Sequence, residues 1–220
     1  MKNIQMTNFV PMQNMTVILA DGDFPVHPVP LGYLKTAERI ICCDGSASKL
    51  IDSGMLPTAI VGDLDSLEPI LREKYNDRLF KDNDQETNDL TKAVRWCLNR
   101  GFKNLVILGA TGKREDHTLG NISLLVEYAA EADVVMVTDT GVFRPVTDSS
   151  SFDSFRGQQV SVFSINPDIE ITSRGLKYPL AGRKLTNWWM ATLNEALGNC
   201  FSLEFEGTTL IVYQAFPPGL

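Results

Sequence analysis

The chain has no surplus of basic residues: among its 220 residues, 20 Lys and Arg stand against 27 Asp and Glu, for a formal charge of -7. That balance argues against a large nucleic-acid footprint, because neutralising a run of phosphates takes clustered cations in excess. A phosphate-bearing ligand must therefore be met by a metal ion or by a few local Lys and Arg side chains. Long apolar runs are also missing. No stretch approaches the roughly 20 apolar residues that cross a bilayer, and residues 1–15 show neither an unbroken apolar run nor a signal-peptide pattern. No membrane partner is expected, and a soluble cytoplasmic protein is. Cysteine is scarce and without zinc-ligand spacing at Cys42, Cys43, Cys97 and Cys200. Three of the four lie in apolar surroundings, so reduced core thiols are expected.

What is present is the rhythm of strand, turn and helix. The hydrophobic content of 44% is ordinary for a globular chain with a real core, and the length suits one large domain or two small ones. Thr16-Val17-Ile18-Leu19-Ala20 reads as a strand that ends in Asp21-Gly22-Asp23. Pro25, Pro28 and Pro30 keep the next connection irregular before a short helix over 31–38. Arg39-Ile40-Ile41-Cys42-Cys43 is continuous in its apolar character, as a strand buried on both faces should be. Asp44-Gly45-Ser46 follows, with a helix over 47–53 closed by Gly54. The pattern repeats where Ala59-Ile60-Val61 runs into Gly62-Asp63-Leu64-Asp65-Ser66. Leu90, Ala93, Val94, Cys97 and Leu98 then form one apolar helical face, with Thr87 or Asn88 as cap and Gly101 as stop. Residues 104–108 form another buried strand, which enters a glycine loop before a helix carrying Ile122, Leu125, Val126 and Ala129 on one face. Residues 132–137 read as the last strand of an α/β domain.

Beyond them the texture changes. Asp148-Ser149-Ser150-Ser151 is linker-like, and short segments at 159–164, 170–173, 200–205 and 208–213 are separated by turn signals. This predicts a small antiparallel β domain. Roughly 70 residues make a thin core, so packing on the first domain or on a second subunit is expected. Read as strand residues, Trp188 and Trp189 face opposite ways, one into a core and the other interfacial or substrate-facing, with interface anchor the preferred reading.

The chemistry gathers on one predicted edge. In open α/β sheets ligands bind beyond the carboxyl ends of the strands, where Asp44 and Asp63 both fall. Asp63 and Asp65 are two residues apart, and in an extended segment both carboxylates point the same way. Such a pair can share magnesium, which is commonly held by one or two carboxylates plus substrate phosphates. The same residues also read as a solvated turn, with Asp65 and Ser66 starting the next helix. Asp89 suits the first turn of its helix, but Asp82, Asp84 and Glu86 crowd just upstream. They fit either a nearby cation or a solvated acidic loop. The loop Gly109-Ala110-Thr111-Gly112 can aim backbone N–H groups at phosphate, yet it matches neither the P-loop nor the dinucleotide fingerprint. Arg114 suits bidentate phosphate contact. Asp116-His117 alone reads as a helix N-cap and its neighbour. Unaided, these residues describe a metal-dependent enzyme acting on a phosphate-containing substrate.

Taken in order, Asp44-Gly45-Ser46, Gly62-Asp63-Leu64-Asp65-Ser66, Asp84-Gln85 with Asp89 and Lys92, Gly109…Gly112-Lys113-Arg114-Glu115-Asp116-His117 and Gly175-Leu176-Lys177-Tyr178-Pro179-Leu180 resemble the thiamine pyrophosphokinase family over residues 16–212. The resemblance implies an N-terminal Rossmann-like α/β/α domain with a mostly parallel sheet (1–147) and a C-terminal antiparallel β-sandwich (148–220). It implies pyrophosphate transfer from ATP to thiamine, giving AMP and thiamine diphosphate, in a homodimer with shared active sites. On the matching positions it implies Mg2+ on Asp63, Asp65 and Asp89, with Lys92 and Arg114 completing the catalytic set. Asp44, Gly45, Ser46, Gly109, Thr111, Gly112, Arg114, Asp116 and His117 are implied to hold ATP. Gln85, Asp89, Tyr178 and Asn194 are implied to meet thiamine. Tyr178 stands where the family usually has Trp, Asn88 replaces a usual Thr, and Ala191-Thr192-Leu193 replaces a Ser-rich stretch before Asn194. The alternatives are an aspartyl phosphatase, a sugar-nucleotide transferase and a non-catalytic nucleotide-binding module.

Overall fold

The computed structural model describes residues 2–4 and 14–219. It divides into Pro11–Asp139, the α/β unit, and Met1–Val10 with Thr140–Leu220, the β unit. The chain begins with β1 (Lys2–Ile4), a strand of the β unit. The α/β unit then runs β2 (Thr16–Leu19), α1 (Pro28–Thr36), β3 (Arg39–Cys43), α2 (Ser46–Asp52), β4 (Ala59–Gly62) and α3 (Pro69–Lys74). It continues with β5 (Leu79–Lys81), α4 (Asp89–Leu98), β6 (Asn104–Leu108), α5 (Glu115–Tyr128) and β7 (Asp133–Val137).

Its strands lie in the order β5-β4-β3-β2-β6-β7, all parallel. Every residue of β2 and β4 is buried, as are Ile40, Ile41, Cys42 and Cys43 of β3. Each Ile, Leu or Val so enclosed contributes on the order of 2 kcal/mol of hydrophobic stabilisation. Helix α4 turns Leu90, Ala93, Val94 and Cys97 inward, and Asn88 caps it by accepting from Thr91 N at 2.9 Å. Chain direction outward from the centre reverses between β2 and β6. That topological switch point is where an open α/β sheet leaves a crevice beyond its strand ends. Cys42 and Cys97 are free, buried thiols whose pKa burial pushes up to about 12, and Cys43 is likewise free and buried. Cys200 is free and exposed. Among the described residues no helix is long and apolar enough to cross a membrane.

The β unit contains β8 (Gly141–Val146), β9 (Ser150–Asp153), β10 (Gln159–Ser164), β11 (Glu170–Arg174), β12 (Arg183–Lys184), β13 (Asn194–Glu195), β14 (Cys200–Glu204) and β15 (Leu210–Ala215). One sheet is ordered β8-β15-β10-β13 and the other β1-β9-β14-β11-β12. All pairs are antiparallel except β1 with β9. Burial alternates along β9, β11 and β14, the period-two signature of a sheet with one face inside. Phe152 and Phe201 stack with centroids 4.7 Å apart, in one core with Val160, Val162 and Leu210 of the opposite sheet. This is a sandwich.

Three expectations shift. The division falls after Asp139 rather than Thr147, because residues 141–146 pair with β15 along their whole length. The serine-rich stretch is not a linker, since Ser150 and Ser151 are the first residues of β9. Trp188 and Trp189 sit on a 3-10 turn (Trp188–Ala191) capped by Asn187, not on a strand. Trp188 packs edge-on against Phe163 at 6.0 Å, while Trp189 is 69% exposed.

Candidate active site

The crevice at the switch point is a cleft of about 450 Å³ whose walls include Asp21, Asp63, Gln85, Asp89, Lys92, Gly112, Lys113, Arg114 and His117. Its floor is set by two loops sewn together. Gly22 N donates to Gly109 O at 2.6 Å and Asp23 N to Thr111 O at 2.9 Å, extending the β2–β6 pairing past the strand ends. The backbones approach so closely that a Cβ on Gly22 would overlap the carbonyl oxygens of both Gly109 and Thr111. Gly112, at φ +80°, has the Asp23 carboxylate packed against its Cα.

One wall is acidic. Gly62 ends β4, and its missing side chain lets two acids converge: a Cβ there would stand 3.0 Å from Asp44 Cβ and 3.3 Å from Asp89 Oδ1. Asp44 is buried at φ +24°, a conformation that non-glycine residues rarely adopt. Its Oδ2 accepts from Ser66 N at 3.0 Å, and its Oδ1 is buried with no hydrogen-bond donor among the described residues. Burial, followed by the charges of Asp89 and Asp63, raises its pKa against the pull of the Ser66 N–H. Asp89 Oδ1 accepts from Lys92 Nζ at 3.1 Å, and the Lys92 side chain is only 3% exposed. Burial would lower the Lys92 pKa, but the Asp89 bond and the charges of Asp89, Asp63 and Asp82 outweigh it and raise it.

Asp63 and Asp65 do not point the same way. The strand stops at Gly62, and Leu64 sits at φ +68°, so the pair straddles a turn in which Asp63 Oδ1 accepts from Asp65 N at 3.1 Å. Asp63 lines the cleft; Asp65 is exposed outside its walls, with its carbonyl taken by Arg72 at 3.1 Å. Among the described residues no three His, Cys, Asp or Glu side chains are spaced to enclose a metal ion. The donors present are hard carboxylate oxygens, and Asp44 Oδ1 is an unanswered one. That chemistry suits magnesium, which needs only one or two carboxylates when phosphates supply the rest.

The acidic loop before α4 is braced by protein groups. Asp82 Oδ1 accepts from Asp84 N at 3.0 Å, and Asp84 Oδ1 accepts from Glu86 N at 2.9 Å. Asp84 Oδ2 receives Arg95 at 2.8 Å and Thr87 Oγ1 at 2.9 Å; Arg95 first, then these N–H and O–H groups, pull its pKa to about 2. Arg95 thus brings a cation to Asp84 in this cluster. Gln85 rides on the same loop, exposed to the cleft.

The opposite wall is basic. Lys113 Nζ pairs with Asp21 Oδ1 at 2.9 Å, and Lys49 Nζ reaches the same oxygen at 3.5 Å. Arg114 precedes α5 and pairs with Asp116 at 2.5 Å, with both side chains mostly exposed. The guanidinium, with the His117 N–H, holds the Asp116 carboxyl well below the usual carboxylate range. Asp44, Gly45, Ser46, Gly109, Thr111 and Asp116 stand outside the cleft walls. Ser46 Oγ instead donates to Leu19 O at 2.7 Å, tying α2 to β2.

In the β unit, Tyr178 is 62% exposed and Asn194 only 4%. The Asn194 amide grips the Tyr178 peptide from both sides: Oδ1 accepts from Tyr178 N at 3.1 Å, and Nδ2 donates to Tyr178 O at 2.7 Å. Its Oδ1 also accepts from Glu195 N at 2.9 Å. Asn194 thus positions Tyr178. Asn194→Ala is expected to cost about 1–3 kcal/mol, because three part-buried backbone groups lose their partner; thermal melting checks this.

Two sequence-family descriptions match the chain: "Thiamin pyrophosphokinase, catalytic domain" over residues 31–138 and "Thiamin pyrophosphokinase, substrate-binding domain" over 141–213. The chain belongs to the thiamin pyrophosphokinase family. It is 28% identical over 159 residues to Thiamin pyrophosphokinase 1 of Caenorhabditis elegans, covering 66% of this chain and 65% of that one. Against Thiamine pyrophosphokinase of Bacillus subtilis (strain 168) it is 27% identical over 177 residues, covering 77% and 83%. It therefore spans just under two thirds of the nematode relative's length. Among solved structures, thiamin pyrophosphokinase from Candida albicans superposes with a TM-score of 0.78 at 19% identity, covering 98% of this chain and 93% of that one. The Bacillus subtilis enzyme gives 0.75 at 24%, covering 91% and 98%. These likenesses establish a shared fold.

The boundary between the two thiamin pyrophosphokinase domains coincides with the structural division after Asp139. Asp63, Asp89 and Lys92 fall in the catalytic domain; Tyr178 and Asn194 fall in the substrate-binding domain. Sequence reasoning did not single out Asp21 and Lys113, which line the cleft, or Lys49, which pairs with Asp21. The available signal was position: Asp21 directly follows the first strand of the sheet, on the edge where the other acids were sought.

Proposed function

We propose that the chain is a thiamine diphosphokinase, moving the pyrophosphoryl group of ATP to the hydroxyethyl oxygen of thiamine with release of AMP. The observation that carries this reading is the switch-point cleft, acidic on one wall and basic on the other, in a chain with both family domains. The nucleophile is a neutral alcohol and the electrophile a heavily charged triphosphate, so positioning and charge neutralisation are the main tasks. Asp63 and Asp89 would hold Mg2+, with the unanswered Asp44 oxygen behind them and Asp65 at the exposed lip; the ion would neutralise polyphosphate charge. Lys92 locks the Asp89 carboxylate in place from beneath. Arg114, half of an exposed and cheaply broken pair with Asp116, would take phosphate oxygens. Ala110 and Gly112 of the glycine loop line their approach.

Gln85 is assigned to the aminopyrimidine. The exposed Tyr178 ring is assigned to the cationic thiazolium, for which an aromatic face is suited. That ring already has Lys177 Nζ 5.9 Å from its centroid. Exposed Trp189, Leu193 and Leu197 on the β unit support self-association as a homodimer, and a cytoplasmic setting is the matching expectation. Tyr178→Ala should raise the thiamine KM far more than the ATP KM; equal effects would remove the stacking role.

The deciding assay incubates the full chain with Mg2+, ATP and thiamine. AMP and thiamine diphosphate in equal amounts are expected, with loss of turnover on chelation. ADP, free phosphate or a nucleoside diphosphate sugar would overturn the reading, as would ATP binding without turnover.

A further inference from the structure

We propose that Lys113 binds the polyphosphate of the nucleotide, and that Asp21 and Lys49 form an exchangeable cradle that holds it ready. The inference deepens the kinase reading and rests on its assignment of a nucleoside triphosphate to this cleft. Lys113 lines the cleft wall with 44% of its side chain exposed. Its backbone is held at φ +47°, in a loop already fixed by the Gly22 and Asp23 N–H bonds to Gly109 O and Thr111 O. The Lys113–Asp21 pair is not needed to shape that loop. Half-exposed ion pairs of this kind contribute little and break readily.

Breaking it leaves no orphan. Asp21 Oδ1 has two ammonium partners, Lys113 at 2.9 Å and Lys49 at 3.5 Å, and Lys49 is independently anchored by donating to Gly22 O at 2.9 Å. When Lys113 swings to a phosphate oxygen, Lys49 remains to neutralise the carboxylate. The exchange trades one carboxylate contact for a phosphate contact of at least equal charge assistance, without stranding either charge. Asp21, through its hydrogen bond and its charge, and Asp23, through its charge, keep Lys113 protonated against the cost of burial. Arg114, the next residue, then brings a second cation to the same stretch of polyphosphate.

Calorimetric titration of the full chain with ATP, AMP and inorganic tripolyphosphate, each with Mg2+, tests this. Lys113→Met should weaken ATP and tripolyphosphate binding by about tenfold or more, while AMP affinity and melting temperature stay at wild-type values. Lys113→Arg should recover most of the loss. Lys49→Met should weaken ATP binding by only about threefold, because Lys113 must then remain with Asp21. Wild-type ATP affinity in Lys113→Met, or an equal loss for AMP, overturns the proposal. If the wild type makes AMP from ATP and thiamine and Lys113→Met binds ATP normally, only this inference fails. If tripolyphosphate binding depends on Lys113 but no AMP forms, the kinase reading fails and the phosphate site stands.

Discussion

Asp89→Asn is expected to lower kcat/KM by about three orders of magnitude while leaving the fold intact, the scale seen when one group that stabilises transition-state charge is removed. Asn is the informative replacement because it separates charge from shape. Its side-chain oxygen can still accept from Lys92 Nζ, now 3.1 Å from Asp89 Oδ1, so the buried ammonium keeps a hydrogen bond. It also keeps the charges of Asp63 and Asp82, which act on it alongside Asp89. What disappears is the negative charge facing the cleft, and with it the grip on a hard cation. Lys92→Met should fail differently: the Asp89 carboxylate loses its lock, and activity falls by about ten- to a hundredfold because the group is misplaced rather than absent. AMP release measured beside thermal melting distinguishes the two. Near-wild-type turnover in Asp89→Asn would remove Asp89 from the chemistry.

The contrast between Asp63 and Asp65 shows where sequence could and could not see the site. Spacing placed both acids beyond the strand, and they are there; it did not reveal that Leu64 would take φ +68° and turn Asp65 outward. Buried parallel strands were legible because their residues are apolar throughout, as in β2, β3 and β6. Strand β5 was not, since Leu79-Phe80-Lys81 is too short to show a period and is only partly buried. Strands β8 and β9 were hidden by Pro145 and by serines that pack as strand residues. Asp84 was visible as a charge but not as an ion pair, because Arg95 meets it only once α4 is wound. Asn194 was legible as a polar residue near Tyr178 in function. Its actual work, clasping the Tyr178 peptide, depends on a contact between residues 16 apart in sequence.

Gly22→Ala is expected to destabilise the α/β unit by about 4 kcal/mol and to abolish turnover, at the upper end of what single substitutions do. Nothing about the backbone angle of Gly22 demands glycine; the demand is for space. The added methyl would overlap two carbonyl oxygens, Gly109 O and Thr111 O, which belong to the chain itself and cannot rotate aside. Relief requires the two loops to part, which breaks the 2.6 Å bond from Gly22 N to Gly109 O and the 2.9 Å bond from Asp23 N to Thr111 O. Those bonds place Asp21, Lys113 and the glycine loop, so stability and phosphate binding should be lost together. Gly120→Ala is the matching control. Gly120 lies within α5 with nothing inside 4 Å of an added Cβ, so alanine should stabilise that helix by about 0.5–1 kcal/mol. Denaturant midpoints should therefore move in opposite directions for two chemically identical substitutions. A Gly22→Ala protein with wild-type stability would mean that the loops of β2 and β6 are not held in register, and the cleft would lose the framework that sets its two walls.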